Sequence, residues 1–527
     1  MISLLVKKDF LLNLTSARFI IGLLLCLFII PFTLIVSMDR YNDQQELYKV
    51  NIERAEDKMK NSKEYSSIRP DVVRQPESLS IFSEGISENI GMSTTIYLFQ
   101  YPLFLQGNAN SIDNPLLNAF FSIDFATVIA IIMSLLALVF SYDCFTLERE
   151  DSTIKMIFVN KISRSSFFIG KLCGILLTLL PILVFCYILS FLFIVLSPKL
   201  SFSINDWGNI LLLFLSSIVY VIVFVLLGMF ISSMVKRSSS SIIISLLAWI
   251  WFLFLMPNIA SYAAHNFVKT RLYDNVSFAM SEIDDEFWKE DNDKNNSIQK
   301  ELEINGLNHW NMNGDYDGRL SIYGGPRSTA EFYLRYIPWY MPRSIDYADK
   351  KWAIQKDYFD GLARQEKIQQ GLALLSPSEI FLQLSSALCH TDANSFIIYM
   401  DKVREYRQVL ITYFKENKFF ESSKWFTSQN IDSFAEDEIY QAFLDGYSSV
   451  IGKGREIEDK FLKENIPEEW NSGYYPPLDL NDFPKFTYKS QISGKILNFV
   501  LIRFALLLFL AIILLMATML RFRKYQL

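Results

Sequence analysis

Residue types that commonly carry chemistry are few and scattered in this chain. The three histidines, His265, His309 and His390, stand far apart. No H-E-x-x-H or C-x-x-C sets two metal ligands on one helical face or in one turn. Of the five cysteines, Cys26, Cys173 and Cys186 lie in apolar runs, Cys144 at the edge of one, and Cys389 alone in a long polar segment. They read as small packed hydrophobes, and no metal is expected. Gly-Lys pairs invite comparison with a phosphate loop, but Gly170–Lys171 lacks a glycine-rich approach and is followed by Leu172. The pair in "IGKGREIED" has no hydroxyl after its lysine. Asp392, after Thr391, suits a helix cap or turn better than an acid catalyst. The chain therefore reads as a non-enzyme with no ATPase loop or bound cofactor of its own. The remaining chemistry is charge, and it is crowded into "SYDCFTLEREDSTIKMIFVNKISRSSFFIGK", residues Ser141 to Lys171.

The elements around that stretch are membrane spans. Of 527 residues, 51% are hydrophobic, too apolar for an ordinary soluble domain of this length. About 20 apolar residues cross a bilayer as a helix. Six runs qualify: 19–36, 125–142, 172–196, 210–231, 242–263 and 497–520. Pro257 breaks the fifth near its end. The first is too long for a signal-peptide core and leads into "SMDRYNDQQ" with no small-residue cleavage site. No basic stripe interleaved with aromatics marks a nucleic-acid surface. The spans hold no Asp, Glu or His at mid-depth, which argues against a proton-coupled carrier.

Lysine and arginine set the orientation. Lys7, Lys8 and Arg18 precede the first run; Lys155, Lys161, Arg164 and Lys171 lie between the second and third; Lys236 and Arg237 lie between the fourth and fifth; Arg521, Arg523 and Lys524 follow the sixth. With six alternating spans these groups share one side, the cytoplasmic one, together with both termini. Residues 37–124 and 264–496 are then extracytoplasmic, and form one mostly helical ectodomain. In the second segment Trp352, Phe359 and Leu362 share a helical face, and "SPSEIFLQLSSAL" opens a helix with Ser376 as cap and Pro377 at its first position. "IYGGPRS" reads as a turn and "DNDKNNS" as a solvated tip. Asp124 and Arg503 lie near the outer ends of spans two and six. They are candidates for an ion pair or a headgroup contact, the alternative being plain snorkelling.

Within 143–171, Glu148, Arg149, Glu150 and Asp151 lead into Ile154, Met156, Ile157 and Phe158. A short surface helix of this kind presents charge to a partner while its apolar side rests on the bundle. The alternative is a solvated connection. The stretch resembles the segment between spans two and three of ABC-2 type exporter permeases. Glu148, Glu150, Thr153, Ile154, Ile157, Ile162, Ser163, Arg164, Gly170 and Lys171 are in register; Ser152 stands where that family favours Gly, and Lys161 where it favours Pro. "LLGMFISSMVKRSSSSIIISLLAW" resembles the family's hinge between spans four and five, over Gly228 to Ser241. Ser376, Pro377, Thr391, Asp392, Phe396, Arg404, Tyr406 and Arg407 resemble a subgroup with a domain of unknown function, DUF3526, in which a Gly is common where His390 stands.

The resemblance implies a mainly α membrane protein with six transmembrane helices, like the type V exporters, in a bacterial cytoplasmic (inner) membrane. It implies an interfacial connecting helix over 1–18 and a coupling helix in 143–171. Glu148, Arg149, Glu150, Thr153 and Arg164 would dock a separate ATP-binding subunit, which supplies ATP and Mg. Lys236 and Arg237 would sit at the hinge. The other partners are a second permease copy or a related permease, and membrane lipids. The apolar span walls favour an amphiphilic substrate. A mechanotransmitter that moves its ectodomain without flux, and a membrane-anchored scaffold or receptor, stay open as alternatives.

Overall fold

Hydroxyl and carboxylate side chains cap six of the α-helices, each satisfying a backbone N–H that has no partner inside its helix. The computed structural model describes residues 2–86, 91–102, 124–151, 163–197, 200, 202–269, 273–304, 311–314, 319–488 and 494–523. In chain order come α1 (Ile2–Leu14) and α2 (Ala17–Lys60, capped by Ser16). Next are the ribbon strands β1 (Asp71–Val73) and β2 (Ser93–Thr95). Helix α3 (125–141, capped by Asp124) is followed by the short α4 (Thr146–Glu150). Then come α5 (Arg164–Leu196, capped by Ser163), α6 (Ile204–Met234, with a Ser203/Asp206 capping box) and α7 (Ser238–Phe267). The second polar stretch carries α8 (Tyr273–Glu301), the ribbon of β3 (Asn311–Gly314) and β4 (Leu320–Tyr323), and α9 (Arg327–Ala373). It continues with α10 (Pro377–Leu388, capped by Ser376), α11 (Ala393–Glu416, capped by Asp392), α12 (Asp437–Val450) and α13 (Arg455–Asn465). Last is α14 (Gly494–Arg523).

Six of these helices are long and apolar enough to cross a membrane. They are α2, α3 with its α4 extension, α5, α6, α7 and α14, and each contains one expected run. The protein is a mainly α membrane protein. Helix α2 runs on past residue 36, unbroken, to Lys60. Pro257 does not break α7: the turn just before it, Trp251–Leu255, widens to a π-helix, and the helix continues. Widening lets the chain pass a residue that has no N–H and would clash with the turn behind it. "DNDKNNS" is no tip. It lies inside α8, where Asp291 and Ile298 are buried and Tyr336 of α9 donates to Asp291. Pairing with α9 overrides the weak helix propensity of Asn and Asp.

Two cores form. One fills the span bundle and includes the inner face of α10, with Ile380, Phe381, Leu384 and Leu388. The other lies in the polar region and is aromatic, built around Tyr65, Phe414, Trp425, Phe426 and Phe483. There Arg407 is buried, bonded to Asp349 at 3.2 Å and to the Leu98 carbonyl, with Tyr101 4.0 Å from its guanidinium. Trp352, Phe359 and Leu362 do share a face of α9, and line a groove of about 690 Å³ against α11.

Close approach of the spans depends on small residues. A side-chain carbon at Gly228 of α6 would collide with Ser141 Oγ and lie 3.0 Å from Ser141 Cβ. Gly228→Ala should therefore destabilise the protein by about 1–3 kcal/mol, read as a lower thermal midpoint of the detergent-solubilised chain. Gly208→Ala, with open space around its position, should not lower the midpoint and should raise it slightly through helix propensity.

Candidate functional site: the charged end of the bundle

The ends of the spans flanked by basic residues meet at one end of the bundle. The start of α2, the α3–α4 corner, the start of α5, the α6–α7 turn and the end of α14 all contribute. Phe522 of α14 stacks on Phe145 at 4.6 Å and on Phe167 of α5 at 5.8 Å. Polar groups then interlock around this aromatic floor.

At the centre is Lys171, on the first turns of α5. Its Nζ donates to Glu148 Oε1 at 2.9 Å and to Asp9 Oδ1 at 3.1 Å. Lys8 Nζ reaches the same Glu148 oxygen at 3.3 Å from the outside. The Lys171, Asp9 and Glu148 side chains are about nine-tenths hidden, at 11%, 8% and 9% exposure. Helix α1 reaches this point because α5 carries Gly170 and Gly174 one turn apart. A Cβ at Gly174 would lie 2.9 Å from Asp9 Cβ, and one at Gly170 would lie 3.3 Å from Leu5 Cβ. The two glycines make a groove in which α1 packs. Burial pushes the Asp9 carboxyl above its ordinary 3.8, while the Lys171 ammonium pulls it down. Among the described residues, Asp9 Oδ2 is buried with no hydrogen-bond donor.

A second set of bonds joins the α3–α4 corner to the α6–α7 turn. Ser232 Oγ accepts from the Phe145 and Thr146 amides at 3.2 and 3.4 Å. Ser241 Oγ donates to the Tyr142 carbonyl at 2.6 Å. Glu150 accepts from both the amide and the hydroxyl of Ser238, each at 2.9 Å, and so caps the start of α7. A third tie comes from α2, where Arg18 donates to Asp143 at 2.8 Å and to Tyr142 Oη at 2.9 Å.

The residues singled out in the sequence fall into three groups. Glu148 is turned inward and is spent on Lys171 and Lys8, whereas a docking surface needs it outward. Arg149 is half-buried, Glu150 exposed, Arg164 half-buried at the start of α5, and Lys236 and Arg237 exposed at the α6–α7 turn. Thr153, with Ile154, Met156, Ile157, Phe158, Lys155, Lys161 and Ile162, lies outside the described residues. Asp124 and Arg503 are not brought together. Asp124 is buried as the α3 cap, accepting from the Thr127 and Glu84 amides at 2.7 and 2.9 Å, while Arg503 stacks on Phe499 at 3.6 Å.

Asp9 was not legible as a site residue, yet one signal was available: it is the first acidic residue of the chain, and none follows before Asp39. A lone carboxylate in so apolar a segment needs a cation. The roles of Ser232, Ser238 and Ser241 require knowing which helix ends meet.

Removing Lys171 leaves two buried carboxylates facing each other. Lys171→Met should cost about 3–5 kcal/mol, seen as a lower thermal midpoint. An acid whose folded pKa is raised holds a proton that the unfolded chain has released, so its contribution falls as pH rises from 3.8 through the folded value. The Lys171→Met deficit should thus be larger at pH 8 than at pH 5, and Asp9→Asn in the same chain should recover part of it.

The family model described as ABC-2 family transporter protein matches residues 4–427. No curated protein sequence matches the chain. The match spans nearly all of α1, five of the six spans, most of the charged end and most of the polar region, and the chain belongs to the ABC-2 transporter family as a multi-pass membrane permease component of an ABC transporter.

Proposed function

We propose that the chain is the transmembrane subunit of an ATP-driven exporter, powered by a separate ATP-binding subunit that docks on the charged end. The observation that carries this reading is the interlock at that end. The segment expected to receive the motor is joined to α1 and α5 through Lys171 and to α7 through Glu150. A push on α4 is therefore shared among four helices rather than absorbed by a loose loop. In this arrangement Arg149, Glu150 and Arg164 face the partner, and Glu148 anchors the segment from behind. Lys236 and Arg237 flank the same surface.

The charged end is cytoplasmic, following the lysine and arginine count, with both termini on that side of a bacterial inner membrane. The polar region is the ectodomain. A second permease copy or a related one completes the pathway, two ATP-binding subunits bring ATP and Mg, and the apolar span walls suit an amphiphile. Membership of the DUF3526 subgroup is supported by His390, whose left-handed backbone (φ 58°) sits where the subgroup's glycine is expected. One observation favours mechanotransmission as a second reading: α2 passes without a break from Arg18 at the charged end to Lys60 in the polar region. Flux of a substrate in proteoliposomes would exclude it.

The test is a mild-detergent pull-down of the tagged chain from its host, with mass spectrometry. A protein with a phosphate-binding loop should accompany the wild type, and an Arg149→Glu/Glu150→Lys variant should recover about tenfold less of it, a loss of ~1.4 kcal/mol. A wild type that brings down no such protein overturns the reading. Equal recovery by the variant removes these two residues from the dock.

A further inference from the structure

About midway along α6 and α7, and near the start of α3, lies a closed ring of hydrogen bonds that no part of the docking scheme uses. Two spans widen there. Besides the turn in α7, the segment Ile129–Met133 of α3 is a π-helix. A widened turn leaves backbone carbonyls short of their usual partners, and it is retained where something outside the helix supplies them. The α7 turn takes this from the cap of α10, and the α3 turn from a tyrosine of α6 that rests on α10. Ser376, the cap of α10, donates its hydroxyl to the Phe252 carbonyl in the α7 turn at 2.6 Å. Tyr220 of α6 donates to the Ala130 carbonyl in the α3 turn at 2.8 Å, and its oxygen lies 3.2 Å from Ser378 Oγ on α10. The Tyr220 ring stacks on Phe381 of α10 at 4.6 Å. Trp249 of α7 closes the circle by donating to Ser134 of α3 at 2.9 Å, and Ser134 in turn bonds the Ala130 carbonyl.

Ser376, Ser378, Ser134 and Tyr220 are all buried. Helix α10 itself belongs to the polar region by sequence and to the span core by packing. Its far end is held by Asn209 at the start of α6, which donates to the Leu388 carbonyl at 3.1 Å. Just beyond, Thr391 donates to the Ser83 carbonyl at 2.9 Å, tying it to the other polar segment.

We propose that Tyr220 and Ser376 are positioning residues for transport, holding spans two and five in their widened turns for as long as α10 is seated between them. Unseating α10 removes the Ser376 donor from the α7 turn and takes Ser378 and Phe381 away from Tyr220, the α6 donor that serves the α3 turn, and each turn then tightens to an α-helix. Loss of the extra residue shifts the register by one position, about 100° of rotation, for the part of the span beyond it. Span movement and the seating of the polar region thus become one equilibrium, biased equally from either side. This rests on the transporter reading for its purpose, although the coupling is a property of the chain alone.

Hydrogen–deuterium exchange of the intact chain in lipid nanodiscs tests it without any partner, so its failure is distinct from failure of the pull-down. Tyr220→Phe keeps the ring and its stack on Phe381, and removes one hydroxyl. It should speed exchange about five- to tenfold in peptides covering both 129–134 and 251–256. Ser376→Ala should do the same at both turns, and Ser376→Thr, which retains a donor, should restore wild-type rates. Ser385→Ala, whose hydroxyl bonds only the Phe381 carbonyl of its own helix, should change neither turn. If each variant loosens only the turn it touches, or if exchange rises evenly over all spans, the two turns are not coupled through α10 and the proposal is overturned.

Discussion

A charge at the mouth of a membrane span has to be matched on the spot, since the low dielectric around it neither screens nor solvates it. Lys171 is such a charge. Its partners come from far away in sequence, Asp9 from α1 and Glu148 from the corner after α3. That requirement fixes where α1 lies, which face α5 turns to it, and how the α3–α4 corner folds back. The glycines at 170 and 174 follow from the same demand, because a carboxylate on α1 cannot reach the ammonium unless the two backbones come close. The other bonds at this end, from Arg18, Ser232, Ser238 and Ser241, lock elements whose positions the buried ammonium already constrains.

The two polar constellations of the bundle are built on different physics. The charged end uses ion pairs and caps at the water boundary, where side chains can still exchange with solvent at the rim. The ring midway along α6 and α7 uses neutral hydrogen bonds to backbone carbonyls deep among apolar side chains, where a hydroxyl is tolerated because its partner is at hand. Helix α10 is the element that makes this second arrangement possible. It presents Ile380, Phe381 and Leu384 to the spans while its serines serve their widened turns.

Much of the fold was legible in the sequence. Six apolar runs sit within six helices, because crossing hydrocarbon leaves the backbone few choices. The caps at Ser376 and Asp392 were readable for a local reason: each side chain bonds amides two or three residues ahead. Tertiary pairing was the obstacle elsewhere. The segment 291–297 has loop composition, yet it is helical because α9 lies against it. Glu148 has the look of a surface carboxylate, and its partners stand 23 and 140 positions away. The site's residue types were visible, but their directions were not.

The unbroken length of α2 has a mechanical consequence. Its 44 residues span about 66 Å, roughly twice the hydrocarbon thickness of a bilayer. With its first turn clamped to Asp143 and Tyr142 by Arg18, this helix is a lever that turns about its clamped end. A tilt of about 5° there carries the far tip ~6 Å sideways. A small rotation at one end of the span thus becomes a sideways displacement well beyond the other.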